Sequence, residues 1–294
     1  MRKGRVRKMN WYLAAGILLL AAVTVVWMLH RENRRFKVTE YTIETGKITK
    51  NITVAVLADL HNYKYGTDNE ELMREIRKMR PDVVISAGDM IEGAENAKGT
   101  GETLRFLSRL SKEFPFYYGM GNHERKFVQE PDKYQKVREE FFNALEETGL
   151  SMMDNETCEI PDANIKITGL NLEKKYFRKV KLYPASAAHI DRLVGKSDRD
   201  RFHILIAHNP DQMEAYAGWG ADLVLSGHVH GGMIVIPGIG GLISPQLTLF
   251  PKYDGGEYRM GNTTMILSRG IGNHTVHVRI FNRAELLCIH LKKI

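Results

Sequence analysis

The sequence predicts an α/β fold, and three observations carry that prediction. Short apolar, often β-branched runs recur through residues 53–226; segments of helical periodicity separate the early ones; and each run leads into Asp, Asn or His. Continuous apolar runs fit strands buried on both faces. Strand–helix alternation argues for a sheet whose neighbours are mostly parallel. At 294 residues the chain holds one large α/β domain or two small ones. Its composition is that of an ordered globular protein, and no solenoid or propeller repeat is present.

The first element is apolar. Trp11 to Leu29 carries no charge and is about long enough to cross a bilayer. Trp11, Tyr12 and Trp27 mark its ends, where aromatic rings favour the interface. The stretch runs into Trp27-Met28-Leu29-His30-Arg31, a poor cleavage context, so an uncleaved signal anchor is preferred over a cleaved signal peptide. Five basic residues precede the span and Arg31, Arg34, Arg35 and Lys37 follow it. That small excess places the tail inside and the large domain outside.

Charge separates this end from the rest. Nine of the 42 Lys/Arg and one of the 35 Asp/Glu lie in residues 1–37, leaving 33 basic and 34 acidic residues beyond. The net charge of +7 therefore belongs to the N-terminus, and no basic face for nucleic acid is implied.

The remaining elements follow in order. Val38–Ile43 and Ile48–Ile52, with Gly46 between, read as a β-hairpin. Strands are expected at Thr53–Leu57, Asp82–Ser86, Phe116–Tyr118, His203–Ala207 and Asp222–Ser226. Helices are expected at Asn69–Met79, Thr103–Leu110 and Pro131–Glu147 from their apolar stripes. Gly256–Met260, Thr263–Leu267, Thr275–Ile280 and Ala284–Leu291 suggest a second, more antiparallel sheet packed on the first. Cys158 and Cys288 sit in apolar strand-like contexts and read as buried free thiols.

Five blocks stand at the ends of the predicted strands: Asp59-Leu60-His61, Gly88-Asp89, Gly121-Asn122-His123-Glu124, His208-Asn209 and Gly227-His228-Val229-His230. In open α/β sheets ligands gather at the carboxyl ends of strands, so the blocks predict one site. Carboxylates, imidazoles and one amide, without cysteine, suit a pair of borderline-to-hard divalent metals. Alternation along an extended segment would put Asp59 and His61 on one side, and likewise His228 and His230. Asp89 has two oxygens and can bridge two ions; Asn122 offers a neutral oxygen.

The order and spacing of these blocks, from about Thr53 onward, resemble the calcineurin-like metallophosphoesterase superfamily. His208-Asn209-Pro210-Asp211, Gly227-His228-Val229-His230-Gly231-Gly232 and Ser268-Arg269-Gly270-Ile271-Gly272 are similar to its bacterial membrane-associated phosphodiesterase branch. The resemblance implies a four-layer sandwich, two mixed sheets flanked by helices. It implies a first metal on Asp59, His61, Asp89 and His230, and a second on Asp89, Asn122, His208 and His228. The cofactors would be two divalent ions, Mn²⁺ favoured over Fe or Zn²⁺, with a hydroxide between them attacking phosphorus. His123 would stabilise the transition state or protonate the leaving group. Relatives often carry Asp at Glu124, which could orient His123, and Gln at Met233. No substrate-binding residue is assigned.

The expected layout is a basic tail at 1–10, a transmembrane signal anchor at 11–29, a basic linker at 30–37 and a catalytic domain at 38–294. The expected protein is a single-pass cell-membrane phosphoesterase with its domain extracytoplasmic. Its partner would be a phosphodiester or diphosphate, lipid-linked because of the anchor; the oligomeric state stays open. A nuclease or nucleotide phosphodiesterase is the enzymatic alternative, weakened by the near-neutral body. A non-catalytic metal-binding membrane scaffold is the other, weakened because Asp59, His61, Asp89, Asn122, His123, His208, His228 and His230 are all present.

Plainer expectations apply elsewhere. His203 is a satisfied core residue, and His189 and His290 are surface positions. Arg269 and His274 stabilise a turn more readily than they reach substrate. Tyr63, Lys64 and Tyr65 line the entrance or form a solvated loop. Met90–Gly101 is a surface loop or a flap.

Overall fold

The computed structural model describes residues 2–177, 183–232, 234–236, 240–243, 249–272 and 279–294. Its helices are α1 (Arg2–Asn33), α2 (Glu70–Met79), α3 (Thr100–Glu113), α4 (Asn122–Gln129), α5 (Gln135–Thr148), α6 (Ala187–Val194) and α7 (Met213–Trp219). The strands are β1 (Phe36–Thr45), β2 (Ile52–Leu57), β3 (Val83–Ser86), β4 (Phe116–Gly119), β5 (Met152–Met153), β6 (Glu156–Ile160) and β7 (Ile165–Leu170). They continue with β8 (Phe202–Ala207), β9 (Leu223–Ser226), β10 (Ile234–Ile236), β11 (Gly240–Ile243), β12 (Gly256–Met260), β13 (Thr263–Leu267) and β14 (Ala284–Lys293).

Two six-stranded sheets form, in orders β1-β14-β2-β3-β4-β5 and β12-β13-β9-β8-β7-β6, with β10-β11 a separate pair. The central strands are apolar on both faces because each sheet is covered twice. Along β2, Val54 and Val56 point into the core between the sheets, while Ala55 and Leu57 point towards the helices. Along β8, Ile204 and Ile206 join the same inter-sheet core, and Leu205 and Ala207 pack under α6 and α7. Leu72, Met73 and Ile76 of α2, Leu107 of α3 and Phe141 of α5 cover the first sheet. The layers are helices, sheet, sheet, helices. Each Val, Leu or Ile buried between the sheets contributes about 1.5–3 kcal/mol relative to exposure. That core holds the ends of β2, β3, β8 and β9 at a fixed separation.

Three expectations are corrected. Residues 38–52 do not form a hairpin: β14 lies between the two segments, parallel to β1 and antiparallel to β2. Ile48 and Ile52 are drawn into the inter-sheet core, so the segment between β1 and β2 is a crossover. The second sheet is not mainly antiparallel. β13, β9, β8 and β7 are parallel neighbours, and only the edge strands β12 and β6 run antiparallel to theirs. The helix expected at 131–147 begins at Gln135, and a separate α4 precedes it. Residues 275–278 of the expected Thr275–Ile280 strand lie outside the described residues; Ile280 O accepts from Val235 N at 3.0 Å.

Helix α1 runs to Asn33 and β1 begins at Phe36, leaving Arg34 and Arg35 between them. Its Trp11–Leu29 stretch has mean hydropathy 2.3 and is 0% buried. Cys158 and Cys288 are both free thiols; Cys288 is buried and Cys158 only half-buried.

Candidate metal centre

Every block lands beside the carboxyl end of a strand, the first sheet supplying β2, β3 and β4 and the second β8 and β9. The loops after β2 and β3 run alongside each other: Asp59 N donates to Gly88 O at 3.0 Å and His61 N to Asp89 O at 3.1 Å. This geometry needs unusual backbone. Asp59, His61, Asp89, His228 and His230 all have positive φ, between 47° and 77°. Left-handed residues other than glycine are strained and persist where surrounding bonds over-determine them. The extended-segment geometry expected for Asp59-x-His61 and His228-x-His230 is therefore corrected; tight turns, not strand alternation, aim these side chains inward. Glycine is required at two close approaches. A Cβ on Gly121 would strike Asp89 Oδ1 and one on Gly227 would strike Asp59 Oδ2.

The side chains converge. Asp59, His61 and His230 form one group within 4.8 Å; His61, Asp89 and His123 a second; Asp89, His208 and His228 a third. Asp89 Oδ2 lies 3.1 Å from His208 Nε2, 3.8 Å from His61 Nε2 and 4.0 Å from His123 Nε2. Asp59 Oδ1 lies 3.4 Å from His230 Nε2. His61 Nε2 and His230 Nε2 face each other at 3.1 Å from nearly parallel rings. Asn122 opens α4 beside His123, whose N–H donates to Asp89 Oδ1 at 2.7 Å. The Asn122 Oδ1 atom is buried without a hydrogen-bond partner. An orphaned buried carbonyl oxygen among carboxylates and imidazoles fits a divalent cation, and the oxygen and nitrogen donors, without sulfur, fit Mn²⁺, Fe or Zn²⁺.

The electrostatics agree. Burial raises the Asp59 carboxyl to about 7 despite His208 nearby and the His228 N–H on its oxygens. Burial would raise Asp89 too, yet the surrounding His208, His123 and His61 hold it well below the usual carboxylate range. Burial would lower His208, but Asp89 beside it raises the imidazole to about 10. The pair favours positive charge between them.

Neighbouring groups set the tautomers. His208 Nδ1 meets Ala87 O at 2.7 Å, so Nδ1 carries the proton towards that carbonyl and Nε2 faces Asp89. His123 Nδ1 accepts from Gly93 N at 2.7 Å, so the ring proton resides on Nε2. Lys126 Nζ in turn donates to Gly93 O at 3.2 Å.

Glu124 does not orient the His123 ring. Its Oε1 accepts from Met90 N and Tyr118 Oη, both at 2.8 Å, and its Oε2 from Asp89 N at 2.9 Å and Gly121 N at 3.1 Å. Fully buried, it bolts the Asp89 loop to the start of α4. Burial, then the Asp89 charge, raises this carboxyl to about 7. Neither the Glu124 clasp nor the Gly93 bond was visible in sequence, because both depend on which N–H groups a loop turns inward. The first turn of the Met90–Gly101 segment is accordingly built into the site, with Met90 and Ile91 fully buried.

Other motif residues prove structural. Ile271 N and Gly272 N donate to Ala58 O and Asp59 O at 2.9 and 2.8 Å, so the Ser268–Gly272 loop backs the β2 turn. Arg269 is held by its own N–H on Glu285. Tyr65 is buried with its hydroxyl on Ile271 O, Tyr63 donates to Asn33 O, and Lys64 pairs with Glu102. None of the three was expected in these roles. Asn209 donates to Tyr176 O at 2.7 Å and caps the turn at Pro210, pinning the 172–177 segment beside the site. His203 bonds Thr168 Oγ1 at 2.7 Å, packs on Trp219 and is lowered by burial to about 4, as a core histidine should be. Met233 and His274 lie outside the described residues.

Comparison with known proteins matches residues 52–232 to the calcineurin-like phosphoesterase family. An uncharacterized metallophosphoesterase of Bacillus subtilis (strain 168), YkoQ, is 24% identical over 92% of this chain and 97% of its own length. A second from that strain, YkuE, is 25% identical over 95% and 93%. The phosphodiesterase YaeI of Escherichia coli (strain K12) is 26% identical over 81% of each chain. Among solved structures, TT1561 of Thermus thermophilus aligns with a TM-score of 0.46 at 10% identity, covering 76% of this chain and 89% of that one.

Proposed function

This chain belongs to the calcineurin-like phosphoesterase family, and from that premise we propose a membrane-anchored enzyme that hydrolyses a lipid-linked phosphodiester or diphosphate with two divalent metals. The observation that carries the proposal is the convergence of seven Asp and His side chains from both sheets in overlapping triads, each within 4.8 Å. Asp59, His61, Asp89 and His230 take one ion; Asp89, Asn122, His208 and His228 take the other, with Mn²⁺ favoured. When bound, such a pair polarises phosphoryl oxygens and brings the pKa of a water from about 15.7 towards about 7.

The chain's own residues do the rest. Asp89, central to the cluster, would be shared by both ions. His208, its Nδ1–H committed to Ala87, offers only Nε2. Asn122 adds an oxygen without adding negative charge that would repel a phosphate. His123, with Nδ1 engaged by Gly93, presents Nε2–H as a hydrogen-bond donor that stabilises the charge developing on phosphoryl or leaving oxygens.

The membrane reading is supported by the Trp11–Leu29 helix, apolar and unburied against the domain. The excess of Lys/Arg before this span favours an extracytoplasmic domain. The phosphodiesterase activity named for the relative YaeI supports the reaction class. Hydrolysis of bis-p-nitrophenyl phosphate with Mn²⁺ tests the site: losing a bridging ligand removes several kcal/mol of charge stabilisation, so Asp89→Asn is expected to lose about 10³-fold or more. A loss of less than about tenfold rejects this site. Turnover of lipid phosphodiesters in micelles is expected to exceed that of soluble nucleotides, and equal rates reject the lipid-linked substrate.

A further inference from the structure

Arg125 and Arg279 are both buried, at 5% and 3% exposure, but their guanidinium groups are used in opposite ways. Arg279 donates to the carbonyls of Arg269, Gly270, Gly272 and Asn282. It is consumed by the loops behind Asp59. Arg125 makes a single long bond, Nη1 to Gln129 Oε1 at 3.4 Å, and its Nε is buried with no hydrogen-bond partner. Among the described residues no carboxylate lies within ion-pair distance of it; Asp89, Glu130 and Glu173 act on its charge only from further off. Burying a guanidinium with its donors unmet is costly. A structural role would be filled as well by a neutral side chain.

Its position says what the free donors face. Arg125 stands three residues after Asn122 on α4, and side chains at that spacing share a helix face. Its Cζ sits 4.7 Å above the Phe177 ring, and Phe177 packs edge-on against His228 with centroids 5.4 Å apart. Arg125 is thus one aromatic ring away from the His228 side of the centre. Phe177 is held there by the Asn209 bond to Tyr176. Phe177 covers the guanidinium from one side, and apart from the Gln129 bond its N–H groups meet no hydrogen-bond partner among the described residues. A planar fork of N–H donors in a dry setting matches phosphoryl oxygens better than a point charge does.

We propose that Arg125 is a subsite for a second phosphoryl group, next to the one hydrolysed, so that the site prefers diphosphate diesters to simple phosphodiesters. This rests on the metal-centre reading above and narrows its substrate class. Arg125 binds and orients; it takes no part in bond making or breaking.

The test is calorimetry on the full-length, Mn²⁺-loaded protein in detergent with two inert probes. Dimethyl phosphate carries one anionic phosphoryl group, and the P,P′-dimethyl ester of methylenediphosphonate carries two. Wild type is expected to bind the diphosphonate about tenfold to a hundredfold more tightly, the range for hydrogen bonds to a charged group. Arg125→Met keeps the apolar stem against Phe177 and should bring that preference to about twofold or less, while Arg125→Lys keeps part of it. No preference in wild type, an unchanged preference in Arg125→Met, or equal weakening of both probes would overturn the proposal. Failure of the metal-centre reading shows differently, as absence of Mn²⁺-dependent turnover of bis-p-nitrophenyl phosphate by wild type.

Discussion

Asp59 and Asp89, from the first sheet, are fixed by bonds within that sheet's own loops: Asp59 N to Gly88 O, His61 N to Asp89 O, and Glu124 on the N–H groups of Asp89, Met90 and Gly121. His208 and His228, from the second sheet, are held by contacts reaching across from the first. Ala87 O fixes the His208 ring, and the Asp59 carboxylate accepts from His228 N. His230 depends on Asn282, whose Nδ2 donates to His230 O at 2.7 Å. The two halves of the centre are therefore unequal. The first is held mostly by bonds among its own loops, with Ile271 and Gly272 backing Asp59, whereas the rings of the second lean on the first, so damage should spread more readily from the first half to the second.

Breaking the Glu124 clasp should have the largest effect. Glu124→Ala leaves buried N–H groups and the Tyr118 hydroxyl unmet, costing about 3–5 kcal/mol. Both ions of the proposed pair should be lost, because Asp89 is a ligand to each in that arrangement. Urea unfolding with metal analysis checks this; retention of one ion at wild-type affinity would contradict the direction of dependence. The second-half counterpart is milder. Asn282→Ala removes an amide from the carbonyls of His230 and Gly232, a cost of about 1–3 kcal/mol. It should weaken the ion on His61 and His230 while sparing the one on His208 and His228. Equal loss of both ions would make the halves equivalent.

The smallest expected effect is a pH dependence. Despite burial, Asp89 raises His208 from an ordinary 6.5 to about 10, so its stabilising contribution is complete below 6.5 and fades as pH rises towards 10. Asp59 is raised to about 7 from 3.8, so the fold also loses stability as that carboxyl is forced to ionise between those values. A bound cation replaces the proton in both cases. The gain in Tm on adding Mn²⁺ should therefore be larger at about pH 8.5 than at about pH 6.5, by roughly 2–4 °C for each kcal/mol of linkage. An equal gain at both would remove His208 as the proton-holding partner of Asp89.

The same inequality explains what sequence could show. Asp59, Asp89, His208 and His228 each follow an apolar run, and strand ends are where an α/β sheet gathers its ligands. The apolar stretch at Trp11–Leu29 was equally plain. Glu124, Gly93 and Arg125 were not, because their roles depend on main-chain groups and an aromatic ring brought together from distant loops. The β1–β2 hairpin was misplaced for a related reason. A local pattern pairs neighbours, and β14, about 240 residues along, competes for the same edge with ten matched positions. The left-handed turns at His61 and His230 likewise leave no mark on side-chain pattern, since these residues adopt that backbone only under tertiary constraint.

The proposed centre holds two ions that share Asp89. The most direct measurement is electron paramagnetic resonance of the full-length protein titrated with Mn²⁺, alongside metal content per chain. Two ions per chain with an exchange-coupled signal are expected in wild type, and Asp89→Asn should abolish the coupling. A single ion per chain, or two uncoupled ions unaffected by Asp89→Asn, would contradict it.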